Sequence, residues 1–418
     1  MSAALSEAQN IKPENVRQDS WIITLVSVAH FASHVMQLVL PPLFPILREE
    51  FGVSYTQLGL IMTVFYVASG AGQGLAGVLV DRYGAHRLLL LGMGALSLGI
   101  LVEGLLPSLW MFLPIALVAG LGNSVFHPAD LSILSLRVSE RRHGRAYALH
   151  GILGAFGYAA SPVLMTIVAT YAGWRTALIA VGVGGLVWTA VLYANRALLT
   201  TSGGKRATGR AAGGMRAGYL AALTSPVVVM GFFYFALTSF ASQGVQSFGI
   251  ASLMSGYGLT LALATSTATA YLAGNACGIF VGGFVADRTR HHHRVPMAGM
   301  TLASLLMLTT STIGDTAWLV FTLMSVSGFA YGITQPSRDI LIRQASAGAG
   351  LGSVFGFVYS GFDLGSCTAP LLFGALLDHQ LPHLVFVAIA ISLALAVPTV
   401  MQVRQRITRP AEASAAAD

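Results

Sequence analysis

Twelve apolar runs, most of them about 20 residues or longer, occupy the chain from residue 21 to residue 402 with short polar breaks between them. A helix of that length crosses the roughly 30 Å hydrocarbon core of a bilayer. Inside lipid, a helix also satisfies its own backbone N–H and C=O groups. The runs lie near 21–47, 55–79, 88–106, 109–134, 145–170, 174–194, 219–245, 258–285, 295–313, 316–341, 350–377 and 382–402, and they are numbered spans 1 to 12 in that order. Charged residues make up only 9% of the chain and mean hydropathy is +0.72. A soluble domain carries about 25% charged residues, so a soluble globular enzyme and a disordered chain are both excluded. The 47 glycines fit helices that approach one another closely. The expected fold is an all-α polytopic membrane protein of twelve transmembrane helices.

The loops set the orientation. Twenty of the 23 Lys and Arg residues fall at one end: Lys12 and Arg17, then Arg82 and Arg87, the group from Arg137 to Arg145, five in 195–218, Arg288 to Arg294, Arg343, and Arg404 to Arg409. Only Arg48 and Arg175 fall at the other end, and Arg338 lies within a span. Positive charge is retained on the cytoplasmic side, so both termini are expected there, in the inner or plasma membrane. The net charge of +7 is thereby explained by the bilayer, with no call for nucleic acid. The expected organisation is a cytoplasmic tail (1–20), a six-helix bundle (21–194), a basic cytoplasmic linker (195–218), a second six-helix bundle (219–402) and a tail (403–418). Residues 1–20 lack the charged, apolar and cleavage regions of a signal peptide. Cys277 and Cys367 both sit in apolar runs, and no disulfide is expected. His291, His292 and His293 read as a solvated basic turn.

The two halves repeat each other. Phe31, Ser33 and Gln37 of span 1 match Phe240, Ser242 and Gln246 of span 7. Gly77, Asp81 and Arg82 after span 2 match Gly283, Asp287 and Arg288 after span 8. Pro128, Gly157 and Pro162 match Pro336, Gly365 and Pro370, each 208 residues on. Parallel repeats of six spans imply two pseudo-symmetric bundles and a site between them near the midplane.

The Gly-x-x-x-Asp-Arg loops, Gly77 to Arg87 and the shorter Gly283 to Arg288, resemble the signature loop of the major facilitator superfamily. The resemblance runs from span 1 to span 12. It implies the major facilitator fold, alternating access, and a central cavity lined by spans 1, 4, 7 and 10. It also implies that Asp81, Arg82, Arg87, Asp287 and Arg288 are gating residues, the acids capping a neighbouring helix. Phe126-His127-Pro128 and Arg142-His143-Gly144 resemble the fosmidomycin resistance branch, with the acid here at Asp130 rather than directly after the proline. Gly154, Gly157, Ser161 and Pro162 of span 5 partly resemble the glycine-proline motif of drug/proton antiporters; a bent, closely packed helix is the other reading. Asn123 lies in the region of span 4 where those antiporters often carry an arginine.

Ionisable side chains at membrane depth are costly and mark pathways. Here they are His30, His34, His127, Asp130, His150, Arg338, Asp339 and Asp363, with Glu103 near one end of span 3. Asp130 and Arg338 stand 208 residues apart, at equivalent positions on spans 4 and 10. They are expected to form a gating ion pair in the outward-facing state, with local pairing of Arg338 as the alternative. Arg338 is also suited to clamp a carboxylate or phosphonate. His30 and His34 share one face of span 1, and together with Gln37, Gln243, Gln246 and Arg338 they form the expected substrate site. Asp130, Asp363 and His34 are the expected proton carriers, since an ionisable group at depth is neutral unless paired. His127 and His150 are placed to support Asp130.

These readings converge on a secondary active transporter of a small organic solute. Proton coupling is expected, with symport of an organic anion and proton-driven efflux of a drug-like compound both open. The polar groups are scattered singly, so no enzyme active site is expected, and no cofactor or metal. No Gly-x-x-x-x-Gly-Lys loop for ATP is present. The expected partners are the solute, protons and the bilayer, with the chain acting as a monomer.

Overall fold

The protein is described from a computed structural model, over residues 15–201, 226–313, 316–345 and 351–415. Most of the linker, the first residues expected for span 7 and the charges Lys12, Lys205, Arg206, Arg210 and Arg216 fall outside those segments. Among the described residues, eleven helices are long and apolar enough to cross a membrane. They are Val16–Phe51, Ala85–Glu103, Leu109–Arg137, Glu140–Ala172, Trp174–Ala194, Val228–Tyr257, Leu261–Arg288, Arg294–Thr312, Ala317–Leu341, Ser360–Asp378 and Pro382–Gln402. Span 2, Tyr55–Tyr83, is the twelfth; it bends by 52° between Tyr55–Gln73 and Leu75–Tyr83, within a glycine-rich stretch.

Local chemistry fixes the ends of these helices. Ser54 and Gln57 form a capping box at the start of span 2, each side chain bonding the other's backbone N–H. Gly52, Gly84, Gly173 and Gly258 take φ of 62°, 90°, 83° and 61° and turn the chain between spans. Span 1 runs beyond its expected end, because Pro41 and Pro42 open a short 3₁₀ turn and a further helix, Phe44–Phe51. Span 7 likewise continues to Tyr257 through a π-helical turn, Gly244–Phe248.

The repeat is visible in the breaks themselves. The helix of span 4 stops at Asn123 and restarts at Phe126, and that of span 10 stops at Gly332 and restarts at Thr334. Each break lies just ahead of a proline, Pro128 or Pro336, which lacks the N–H needed to carry the helix through. Pro162 and Pro370 both sit inside their helices, spans 5 and 11. Helix packing repeats too: span 1 lies on span 5 as span 7 lies on span 11, and span 3 on span 6 as span 9 on span 12. Between the halves, span 2 packs on span 11 and span 5 on span 8.

Small residues make these approaches possible. A Cβ at Gly328 of span 10 would fall on the Tyr271 carbonyl oxygen of span 8. Gly328→Val is therefore expected to lower thermal stability in detergent by several degrees or abolish expression, since overpacking costs about 1–3 kcal/mol or more. A valine variant with an unchanged melting midpoint would show that the two helices have room to part.

The halves are joined at the end away from the termini. The Asp378 carboxylate, closing span 11, accepts from the Tyr55 and Thr56 amides at 2.7 and 2.9 Å and from the Thr56 hydroxyl at 2.6 Å. Nearby, Phe248 of the π turn stands 5.2 Å from the Phe44 ring and 6.3 Å from the Tyr55 ring. Deeper in, the Thr63 hydroxyl donates to the Cys367 carbonyl at 2.9 Å, and the Thr166 and Thr265 hydroxyls meet at 2.9 Å. In this conformation the far end is closed.

Candidate functional site

Four imidazoles and one carboxyl from three helices meet inside the first half. His30 and His34 come from span 1, His127 and Asp130 from the restarted helix of span 4, and His150 from span 5. They meet because span 5 carries glycine where span 1 carries histidine. A Cβ at Gly154 would lie 2.8 Å from His30 Nε2 and 3.1 Å from His34 Cε1, and one at Gly157 would strike the Phe31 carbonyl. These two glycines act as the groove for the histidine ridge.

Asp130 is fully buried, and neither of its oxygens has a hydrogen bond. Its Oδ2 lies 3.4 Å from His30 Nδ1 and 3.9 Å from His150 Nε2. His30 and His150 stack with ring centroids 3.8 Å apart and 24° between planes. The His30 centroid is 4.3 Å from that of His34 and 5.3 Å from that of His127. His127 is the one exposed member of the cluster. His34 Nδ1 lies 2.8 Å from the Gly154 carbonyl. A carbonyl only accepts, so Nδ1 carries the hydrogen and Nε2 keeps its lone pair.

A second polar chain starts where the first ends. His34 stacks on Tyr158 at 4.1 Å. The Tyr158 hydroxyl donates to Gln37 Oε1 at 2.9 Å, Gln37 Nε2 to Asn123 Oδ1 at 3.1 Å, and Asn123 Nδ2 to Ser69 Oγ at 2.9 Å. Spans 1, 2, 4 and 5 are thus tied together at one level by three bonds. Tyr158→Phe removes the first of them and leaves the Gln37 oxygen unpaired, at a cost of about 1–3 kcal/mol. A melting midpoint lowered by a few degrees is expected, and one equal to the parent's would show that Gln37 finds another donor.

His30, His127 and His150 offer nitrogens within 4.8 Å of one another, which raises metal binding. Donors around a tetrahedral zinc stand about 3.3 Å apart, given Zn–N bonds near 2.0 Å. Imidazole lone pairs lie in the ring plane, and two rings stacked at 3.8 Å cannot aim both at one point between them. As placed, His30 and His150 are stacked on each other and both face Asp130 Oδ2.

The other expected site residues lie elsewhere. Arg338 is not among the partners of Asp130: its Nε donates to Asp339 at 2.9 Å, and its guanidinium lies 4.6 Å from the Phe235 ring centre. The cross-half ion pair was expected of the opposite conformation, and here the local partner holds the arginine. Gln246 donates to Ser242 Oγ at 2.9 Å, and Gln243 accepts from Ser247 Oγ at 3.1 Å, both along span 7. Asp363 packs its carboxyl against Gly70 of span 2, where a Cβ would come within 2.8 Å of it. Asp81, Arg82, Arg87, Asp287 and Arg288 are all exposed at the termini end, and Arg82 lies over the Tyr83 ring. Tyr158 and Ser69 escaped the sequence reading. Tyr158 follows Gly157 directly, so it shares the helix stretch that packs on His34, but a tyrosine in an apolar helix carries no depth signal of its own.

Two bundles of six helices with repeated breaks, a polar cluster inside the first and a closed seam between them define a duplicated helical membrane fold. The sequence matches the Major Facilitator Superfamily over residues 26–266 and 232–417, and the chain belongs to that family. It is 26% identical over 375 residues to the fosmidomycin resistance protein of Escherichia coli (strain K12), covering 87% of this chain and 88% of the relative. It is also 26% identical over 277 residues to the uncharacterized MFS-type transporter YfnC of Bacillus subtilis (strain 168), covering 64% of this chain and 65% of that relative. Among solved structures, a bacterial homologue of the human lysosomal transporter Spinster, inward-facing and unoccupied, superposes with a TM-score of 0.74 at 14% identity, over 94% of this chain and 98% of the other.

Proposed function

We propose that this membrane transporter of small solutes is driven by protons, and that Asp130 with His30 and His150 is the coupling site. The observation that carries the reading is a fully buried carboxyl without a hydrogen bond, facing two imidazoles at 3.4 and 3.9 Å. An ionised carboxylate without donors at membrane depth is strongly disfavoured. The cluster therefore holds one proton, and moving it must accompany a change in what surrounds Asp130. In the opposite conformation Arg338, its counterpart on span 10, supplies the charge that lets Asp130 give the proton up. Both termini are cytoplasmic by the distribution of Lys and Arg, in the inner or plasma membrane, so the conformation described is closed on the outer side.

Of the two solute classes, proton-driven efflux of a drug-like compound is favoured over uptake of an organic anion. The Arg338 guanidinium is already committed to Asp339 and Phe235, and similarity to a fosmidomycin resistance protein extends over most of the chain. Purified protein in vesicles loaded with a pH dye tests both readings. Efflux-type substrates, phosphonates included, are expected to drive proton movement opposite to their own. Substrate flux with no proton movement would end the coupling proposal, and co-directional movement with carboxylates would replace efflux by symport.

A further inference from the structure

The geometry points to a binding site for an anionic phospholipid on the outside of the first half, where spans 3 and 6 reach the termini end. A groove of about 570 Å³ lies there between the first turn of span 3 (His86, Arg87, Leu90), the last of span 6 (Tyr193) and the short helix Arg196–Leu199 with Thr200 after it. Arg87 and Arg196 are both exposed, and the described residues that line the groove include no Asp or Glu. His86 is nine-tenths buried in the groove wall, and its Nδ1 has no hydrogen-bond partner.

The groove is held in shape from below. Thr201 Oγ accepts from the Ala85 amide at 3.0 Å, and Arg137 Nε donates to the Leu198 carbonyl at 2.8 Å, so the start of the linker is tied to spans 3 and 4. The Arg196 guanidinium lies 4.3 Å from the Tyr193 ring centre, with Nη1 donating to the Tyr193 carbonyl at 3.0 Å, which holds it against the Tyr193 wall of the groove.

The adjoining surface decides the occupant. Leu91 and Leu98 on span 3 and Val183 and Val187 on span 6 are exposed, giving an apolar track alongside the groove. A soluble anion uses the two arginines but not the track. A zwitterionic lipid uses the track but gains no net charge attraction. A phosphate diester with two acyl chains and net negative charge matches both, as basic pockets at the membrane surface do in general. Bound there, the lipid bridges span 3 and the first residues of the linker.

Full-length protein in a mild detergent, mixed with phosphatidylglycerol, with phosphatidylcholine of the same chains, or with inorganic phosphate, and weighed by native mass spectrometry, tests this site. Phosphatidylglycerol is expected to stay bound where phosphatidylcholine is stripped. Arg196→Gln is expected to weaken binding roughly fivefold, and adding Arg87→Gln to weaken it by roughly that factor again. Arg87→Lys with Arg196→Lys, which keeps the charge, is expected to retain most of the affinity. Equal retention of the two lipids, unchanged binding in the Gln variants, or displacement of phosphatidylglycerol by millimolar phosphate would each overturn the assignment.

Discussion

Asp130→Asn is expected to reduce solute-driven proton movement to the level of empty vesicles while the protein still exchanges solute across equal concentrations. The amide is nearly the same size as the carboxyl, so the stack of His30 on His150 and the fit of Gly154 over His30 are left in place. What is lost is the one group in the cluster that can carry negative charge. A neutral amide has no proton to exchange with the imidazoles, and the cost of exposing an unpaired carboxylate no longer ties protonation to conformation. Exchange, which needs only the alternation of the two states, is preserved or accelerated. Pyranine fluorescence in proteoliposomes measures the first quantity and radiolabel counterflow the second. Proton flux equal to that of the parent would remove Asp130 from the pathway. Loss of counterflow together with proton flux would assign it to alternation itself.

The second large effect concerns the seam. Asp378→Ala is expected to shift the balance away from the far-closed state by roughly 30- to 150-fold, which corresponds to about 2–3 kcal/mol. Its carboxylate takes three bonds of 2.6 to 2.9 Å from the first turn of span 2 in the other half, and bonds to a charged acceptor are the stronger kind. The anion also sits at the positive end of a 29-residue helix. Because these bonds join the halves, they exist only while the far end is shut, and their whole value bears on the conformational equilibrium. Asp378→Asn keeps one acceptor oxygen and is expected to fall between parent and alanine. Spin labels at the exposed positions Glu49 and His379, one on each half, report the separation directly. An unchanged distance distribution in the alanine variant would show that aromatic packing around Phe248 closes the seam alone.

The spans were legible because lipid imposes their length, and the repeat because matched prolines mark it: Pro128 and Pro336 gave the register, while the interruptions of spans 4 and 10 ahead of them were not expected. Ionisable residues inside apolar runs were legible too, which is why His30, His34, His127, Asp130 and His150 could all be set apart from their background. What a single sequence does not carry is azimuth. Period 3.6 places a residue at a level on its helix but not against a particular neighbour. Asp130 therefore looked across the axis to Arg338, its equivalent by repeat, whereas in this conformation it turns to His30 of the adjacent span 1. The contact depends on span 5 coming close at Gly154 and Gly157, a fact of helix packing rather than of pattern. The π turn in span 7 left no trace in the apolar run, and so its end was placed too early.

The duplicated backbone carries undivided chemistry. At the positions that the repeat makes equivalent to His30, His34, His127 and His150 stand Ser239, Gln243, Gln335 and Val358, none of which titrates. The second copy shares the shape but not the imidazoles, and it sets Arg338 where the first has Asp130, so the two lobes are twins in form and differ in charge. Under the proposed coupling role of Asp130, the imidazoles of the pathway belong to one lobe and the answering charge, Arg338, to the other. Changes in the second lobe that leave Arg338 and Asp363 in place are then free to alter which solutes are carried without disturbing the source of driving force, and a lineage built this way can diversify its cargo while its engine stays the same.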